Sequence, residues 1–287
     1  ATMAESNSSM QSSMFLPTFL QQLANPEVKT VMIAGCGGGF DFVHGMLLYP
    51  ELKRLNKKIV IGSFSFGKPE NYKDAETYHT FESGVVVKKV CAENTGAFFY
   101  APEVHMCDYL DEKYPEEEPH SVYAYYARSY TVKMLKELYE KIIKENNVDG
   151  LIIIDGGSDS LMIGDEEGLG DPIEDCVSVT TASLLEGLKA KMLLSVGFGA
   201  DRFNGVSDCA SLRAVADLTS KGGFLGSISI EQSNPGYTFY RDCVKHIYSK
   251  QTFKSVLTGL ILTSARGCYG SDIVPEELQP RVKKGSA

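Results

Sequence analysis

The sequence has no apolar run that approaches the roughly 20 residues needed to span a bilayer. Residues 1–14 also lack the basic and apolar regions of a secretory signal. We therefore expect a cytoplasmic protein without a membrane partner.

The sequence also lacks any CxxC pair and any cysteine spacing typical of zinc sites. Its cysteines are odd in number, which does not fit a closed disulfide framework. We expect most of them to be buried free thiols of a reducing compartment. The seven are Cys36, Cys91, Cys107, Cys176, Cys209, Cys243 and Cys268.

Basic residues are too few and too scattered for a nucleic-acid surface. The chain has 28 Lys and Arg against 37 Asp and Glu, a net charge of -9, and phosphate backbones are bound by clustered basic side chains. We expect a small-molecule ligand and no nucleic-acid partner. A homo-oligomer is compatible with the sequence, but no interface can be located from it.

The 287 residues, 43% of them hydrophobic, provide enough apolar material for one large core. We expect a single domain over residues 29–275, a flexible N-terminal segment over 1–28 and a tail over 276–287.

Strand and helix patterns alternate along the chain. Residues 30–35 form a short apolar run that ends in glycines, and residues 41–56 carry apolar side chains at helical spacing. Residues 150–154 are apolar on both faces, which is typical of a central parallel strand. The pattern predicts a doubly wound, mostly parallel α/β sheet of the Rossmann-like kind, with helices on both faces. We expect further strands at 58–61, 84–90, 192–196 and 224–230, helices at 121–146, 173–190, 208–220 and 237–250, and a surface excursion at 100–120.

Two strand-end loops carry the functional argument. The glycine loop, residues 35–41, has four glycines in its first five positions, so its backbone can closely approach a phosphate or carboxylate. A tight strand-to-helix turn would explain the same glycines. Asp41 either caps the following helix or contacts a ligand or metal. The loop is not a complete dinucleotide fingerprint, because Phe40 occupies the last glycine position of a G-x-G-x-x-G that starts at Gly35. The G-K-[ST] of a Walker motif is also absent.

The acidic loop, residues 155–167, follows the predicted central strand. Carboxylates this dense repel one another unless a cation offsets them, and Mg²⁺ takes oxygen ligands and often bridges carboxylates to substrate phosphate. We expect the catalytic residues to be Asp155, Asp159, Asp165 and Glu166, the first three also being metal ligands. Asp171, Glu174 and Asp175 are interpreted as residues that favour a helix N-terminus. The predicted ligand-binding residues are Gly35, Cys36, Gly37, Gly38, Gly39, Asp41, Gly156, Gly157, Ser158 and Gly199.

Other candidates have simpler interpretations. Cys36 precedes a predicted helix N-terminus, where a thiolate is stabilised, but a small buried side chain explains it as well. Arg202, in the third loop (residues 197–202), could clamp an anion or stay solvated.

The sequence resembles a family of Rossmann-like α/β proteins of unknown function. The family has a GxGGGxD first loop and a DGGxDSLxxGDExGLGxPxED second loop, which match residues 35–41 and 155–175, and VGFGAD at 196–201 is a third match. The likeness covers about residues 30–270, except for 68–120. It implies the fold and assigns no reaction, substrate or catalytic residue.

The leading hypothesis is an enzyme, of the hydrolase or transferase kind, that acts on a small phosphorylated or nucleotide-like metabolite with a carboxylate cluster that either binds Mg²⁺ or acts as acid and base. One alternative is a non-catalytic nucleotide or metabolite sensor. Another is a metal-free hydrolase or lyase that uses a carboxylate acid/base pair.

Overall fold

One sheet organises the chain. The computed structural model describes residues 16–95, 99–117, 119–170 and 172–282. The strands in these residues are β1 (Thr30–Gly35), β2 (Lys58–Ser65), β3 (Glu76–Thr80), β4 (Val86–Cys91), β5 (Ser121–Tyr126), β6 (Gly150–Gly156) and β7 (Ala190–Val196). They pair in the order β3-β4-β5-β2-β1-β6-β7. Five neighbouring strands, β5, β2, β1, β6 and β7, are parallel. Beyond β5, the strands β4 and β3 extend the sheet with antiparallel pairing.

Helices cover both faces of the sheet. They are α1 (Thr18–Ala24), α2 (Asp41–His44), α3 (Tyr49–Arg54), α4 (Pro102–Lys113), α5 (Val132–Asn146), α6 (Pro172–Leu184), α7 (Asp208–Ser220), α8 (Pro235–Lys250) and α9 (Val256–Ser264). Successive residues of β1 face opposite cores: Ile33 packs with residues of α4 and α8, and Met32 packs with residues of α5. The predicted doubly wound, Rossmann-like α/β fold is therefore confirmed. None of the described helices is both long enough and apolar enough to cross a bilayer.

The order of strands places the site. From β1 the chain passes to β2, then to β3 and β4 at the edge of the sheet, and then to β5 beside β2. It next crosses to β6, on the other side of β1. Loops that leave neighbouring parallel strands in opposite directions open a crevice at the carboxyl edge of such a sheet. The glycine loop leaves β1 and the acidic loop leaves β6, so both border this crevice.

Part of the predicted helix at residues 121–146 is a strand. Ser121–Tyr126 is β5, paired with β2 and β4, and the helix begins only at Val132 after the Thr131 side chain caps it. The β-branched and aromatic side chains of Val122, Tyr123 and Tyr125 favour a strand, and pairing with β2 and β4 stabilises it.

Two other segments also differ from the predictions. Residues 100–120 were expected at the surface, but Pro102–Lys113 forms α4, whose Glu103 is fully buried and accepts hydrogen bonds from the Ser63 and Tyr72 hydroxyls. Residues 224–230 form no strand; their backbone instead accepts one hydrogen bond from Phe19 of α1 at Leu225. An apolar segment without a pairing partner cannot complete a sheet ladder.

The domain ends also contain ordered structure. Residues 16–28, within the segment expected to be flexible, include α1, and its Phe19 and Leu23 are buried in the core. In the expected C-terminal tail, Glu276–Arg281 is a 3-10 helix with Leu278 buried. Apolar side chains hold both segments to the domain.

Candidate functional site

The glycine loop and the acidic loop meet across neighbouring strands. In the β1–β6 pair Gly35 lies opposite Ile154, and the Cys36 N–H donates to the Ile154 carbonyl at 2.8 Å. The Gly156 N–H donates to the Asp41 carboxylate at 3.3 Å, which joins the two loops directly. The predicted ligand loops therefore open onto a common cleft.

The glycines of the first loop make room for protein side chains. A Cβ on Gly37 would lie 2.6 Å from Asp175 Oδ1, and a Cβ on Gly38 would lie 1.9 Å from the Phe66 ring. Backbone N–H groups of this loop are also engaged, since Gly37 donates to Asp41 at 2.8 Å and Gly39 donates to the Phe64 carbonyl at 3.0 Å. The loop is therefore shaped around its own carboxylates and Phe66, and these N–H groups are not available to an anion.

Three aspartates from three segments converge beside this loop. Asp41 begins α2, Asp155 lies in β6 and Asp175 lies in the first turn of α6; all are buried, and one oxygen from each lies within 4.8 Å of the other two. The Ser160 hydroxyl donates to Asp155, whereas Asp175 Oδ1 is buried and has no hydrogen-bond partner in the described part of the chain. Within the described residues, no lysine, arginine or histidine nitrogen lies within 4.0 Å of these three carboxylates.

Burial and mutual repulsion shift the titration of this aspartate triad (Asp41, Asp155 and Asp175). Desolvation raises the pKa of each of the three carboxyls well above its usual range. The negative charges of neighbouring aspartates raise these pKa values further, and the N–H donors of Gly37 and Gly156 lower that of Asp41 only in part. A group of carboxylates kept out of water and close together attracts protons or cations.

A second pair of carboxylates borders the triad. Asp201, in the third loop after β7, accepts hydrogen bonds from the backbone N–H groups of Ser158 and Asp159. Asp159 and Asp201 both line the cleft, and the charge of Asp159 acts on Asp201. Burial and the Asp159 charge raise the pKa of Asp201 to about 7.

The triad and this pair line a cleft of about 230 Å³. Its walls include aromatic side chains, and Arg281 is the only lysine or arginine among the lining residues in the described part of the chain. The residues that line it are Gly37, Gly38, Gly39, Phe40, Asp41, Phe66, Asp155, Gly156, Asp159, Glu174, Asp175, Asp201, Phe203, Asn204, Phe253, Ser255, Val256, Leu257 and Arg281.

Some predicted site residues lie elsewhere. Asp165 and Glu166 do not line the cleft: the Asp165 side chain is 61% exposed and lies 3.9 Å from Arg213, while the half-buried Glu166 accepts hydrogen bonds from the Ile163 and Gly164 N–H groups. Gly199 borders a different, smaller cavity. Gly35, Cys36, Gly157 and Ser158 support the cleft from behind without lining it. The dense carboxylates of the acidic loop predict that Asp165 and Glu166 converge with Asp155 and Asp159. The turn at residues 163–166 instead directs them away from the cleft.

Cys36 and Asp41 both have structural roles in the glycine loop. The Cys36 side chain is buried, and desolvation together with the nearby aspartates raises the pKa of its thiol well above the usual range, which opposes thiolate formation. Asp41 makes no helix-capping bond and instead bridges the glycine loop to Gly156.

The sequence patterns missed four charged residues of the cleft. Glu174 and Asp175 are interpreted from the sequence as residues of a helix N-terminus alone, Asp201 is not selected although it follows the adjacent strand β7 at the same sheet edge, and Arg281 lies in the segment interpreted as a tail. The position of Asp201 after a neighbouring parallel strand was the available signal; Arg281 had none.

The donor set suits a hard divalent cation. Carboxylate oxygens are the ligands that Mg²⁺ and related cations prefer. Asp175 Oδ1 supplies a buried oxygen that needs a partner, and the triad brings its oxygens within reach of a single ion.

Comparison with known proteins identifies a family and no function. No curated protein and no solved structure matches the chain. The model of a family described as "Protein of unknown function (DUF1152)" matches residues 117–273, which include the acidic loop, Asp175 and Asp201 but not the glycine loop. Because the match covers more than half of the chain, the protein belongs to this family of proteins of unknown function.

Proposed function

We propose that the protein is a divalent-cation-dependent enzyme that hydrolyses, or transfers a group from, a small phosphorylated or nucleotide-like metabolite. The observation that carries the proposal is the convergence of Asp41, Asp155 and Asp175 in a buried cleft, with one Asp175 oxygen that has no hydrogen-bond partner among the residues the structure describes. The location supports it, because ligands of doubly wound sheets bind where the strand order reverses.

Energetics favour a cation over a purely structural role for these carboxylates. Each buried carboxylate loses hydration, and each is repelled by the others. Structural aspartates in such positions are normally paired with a basic side chain, and the described residues bring none within 4.0 Å of the triad. A bound Mg²⁺ would supply the missing positive charge.

The residues divide into two roles. The triad would hold the cation, which when bound polarises a phosphoryl oxygen of the substrate. The Asp159–Asp201 pair would move the proton: its ionised carboxylate accepts a proton from the attacking water or hydroxyl, and its carboxylic acid can protonate the leaving oxygen. The raised pKa of Asp201, about 7, suits proton transfer near neutral pH.

Cation titration tests the proposal. We expect Mg²⁺ or Mn²⁺ to raise the melting temperature of the wild-type protein, because a ligand that binds the folded state stabilises it. Asp155→Asn should abolish this rise, whereas Asp165→Asn, which alters an exposed aspartate outside the cleft, should leave it intact. A melting temperature that neither cation changes would refute the cation site.

Turnover is tested separately with a panel of phosphorylated metabolites and nucleotides. We expect cation-dependent release of phosphate or of a phosphorylated product, and its loss in Asp159→Asn. Cation-linked stabilisation without any turnover across the panel would favour a binding or sensor protein instead.

The carboxyls of Asp159 and Asp201, which both line the cleft, also support a second candidate, a metal-free hydrolase or lyase. Because the pKa of Asp201 is raised to about 7, a protonated Asp201 would serve as the acid and Asp159 as the base without a cation. Activity that survives exhaustive treatment with a chelator and disappears in Asp201→Asn would favour this candidate.

A further inference from the structure

The C-terminal segment reaches the cleft from outside the sheet. The 3-10 helix Glu276–Arg281 is held by Leu278, whose side chain is buried against α9. A Cβ on Gly259 of α9 would lie 2.8 Å from Leu278 Cδ1, so the two segments are in close contact. This anchor places Arg281 at the rim of the aspartate-lined cleft.

The Arg281 side chain is held in position by an aromatic ring and a backbone carbonyl. Its guanidinium lies 4.6 Å from the centre of the Phe253 ring, which also lines the cleft, and Nη1 donates to the Lys254 carbonyl. Within the described residues, no carboxylate oxygen lies within 4.0 Å of this guanidinium. An oriented, exposed arginine with its charge uncompensated is suited to bind an anion from solvent.

A phosphorylated ligand requires such a residue here. The glycine loop cannot cradle phosphate with the N–H groups of Gly37 and Gly39, because both donate within the protein. The surrounding carboxylates repel an anion. A phosphate group bound in the cleft therefore needs a positively charged side chain in addition to the cation. Arg281 is the basic side chain that the cleft offers.

We infer that Arg281 binds the phosphoryl group of a ligand in the cleft that Asp41, Asp155 and Asp175 also line, the three aspartates being the residues that would hold the cation. The inference rests on the proposed function and deepens it: the ligand is an anion that spans from the triad to the guanidinium. Guanidinium binds phosphate through two parallel N–H donors, a geometry that the single ammonium of lysine does not reproduce.

Calorimetric titration of inorganic phosphate into the full chain, with saturating Mg²⁺, tests this inference. The variants are Arg281→Gln and Arg281→Lys, and the matched control is Arg213→Gln, which removes an exposed arginine of α7 outside the cleft. We expect Arg281→Gln to weaken phosphate binding roughly tenfold or more, Arg281→Lys to weaken it less, and Arg213→Gln to leave it unchanged.

Binding of Mn²⁺, followed by the loss of the free-ion electron paramagnetic resonance signal, is measured on the same proteins. Unchanged Mn²⁺ affinity in Arg281→Gln shows that the cleft is folded and that the cation site is intact. If Mn²⁺ binds but phosphate binding is absent, or is the same in wild type and Arg281→Gln, the role of Arg281 is overturned while the cation site stands. If Mn²⁺ does not bind the wild-type protein, the proposed function and this inference both fail.

Discussion

Two acidic parts of the same loop differ in burial. Asp155 and Asp159 are buried at the end of β6, whereas Asp165 is exposed on a turn a few residues later. Desolvation raises the pKa of Asp155, while hydrogen bonds from the Ile163 and Gly164 N–H groups lower the pKa of Glu166. The density of carboxylates in a sequence therefore does not locate a cation site; the burial imposed by strand and helix ends does.

The same comparison applies to the glycines. Gly157, beside the buried aspartates, has φ of 120° and Gly164, in the exposed turn, has φ of 104°, so both adopt conformations that side chains rarely take. They differ in space: a Cβ on Gly157 would lie 1.9 Å from Asp201 Oδ2, whereas a Cβ on Gly164 meets nothing within 4 Å. The pair separates backbone strain from disruption of the carboxylate cluster.

The largest expected effect follows from this pair. Gly157→Ala should reduce the free energy of unfolding by roughly 3–5 kcal/mol, because it adds displacement of Asp201 to backbone strain. Gly164→Ala should lose only the strain, roughly 1–2 kcal/mol. Urea denaturation of both variants measures the difference, and equal losses would contradict the close packing of Asp201 on Gly157.

The next effect is a pH dependence of stability. Because the pKa of Asp201 is raised to about 7 in the folded state, the folded protein holds a proton that the unfolded chain releases near pH 4. Stability from this group is complete below pH 4 and is lost as pH rises to about 7, by roughly 2–4 kcal/mol. Denaturant unfolding with chelator present, from pH 4.5 to 8, measures the decline.

Two variants assign that pH dependence to a region. Asp201→Asn should make the decline smaller by the share of this carboxyl, while the raised pKa values of Asp41, Asp155 and Asp175 maintain the rest; Asp165→Asn should leave the decline unchanged. Saturating Mg²⁺ at pH 8 should offset part of the loss, because a cation replaces the protons of the cluster. A wild-type profile identical to that of Asp201→Asn would show that Asp201 titrates normally.

A smaller effect is expected at the triad. At pH 8 without divalent cations, Asp175→Asn should raise the free energy of unfolding by about 1–2 kcal/mol, because it removes a buried carboxyl that repels Asp41 and Asp155. The variant should also lose stabilisation by Mg²⁺. Urea denaturation with and without Mg²⁺ provides both values; a less stable variant that still responds to Mg²⁺ would place Asp175 outside the cation site.

The sequence predicts the sheet better than the site. Central strands such as β6 are apolar on both faces, and α7 was predicted at its observed bounds, Asp208–Ser220, since local patterns determine such elements. The meeting of the glycine and acidic loops also follows from parallel topology alone. The contribution of Asp175 does not, because a carboxylate in the first turn of a helix is equally explained by the helix dipole. Arg281 depends on how the chain folds back after α9, which no local pattern records.

The smallest expected effect on the free energy of unfolding concerns the exposed Asp165. Asp165 and Arg213 are 61% and 76% exposed and lie 3.9 Å apart, so solvent screens their attraction. Asp165→Asn should change the free energy of unfolding by less than about 0.5 kcal/mol, and it should leave both Mn²⁺ affinity and turnover at wild-type values. Urea denaturation and metal titration measure these quantities. A loss of Mn²⁺ binding in this variant would mean that the exposed turn closes over the cleft when the ligand binds, which would extend the site to the acidic residues that this structure leaves in solvent.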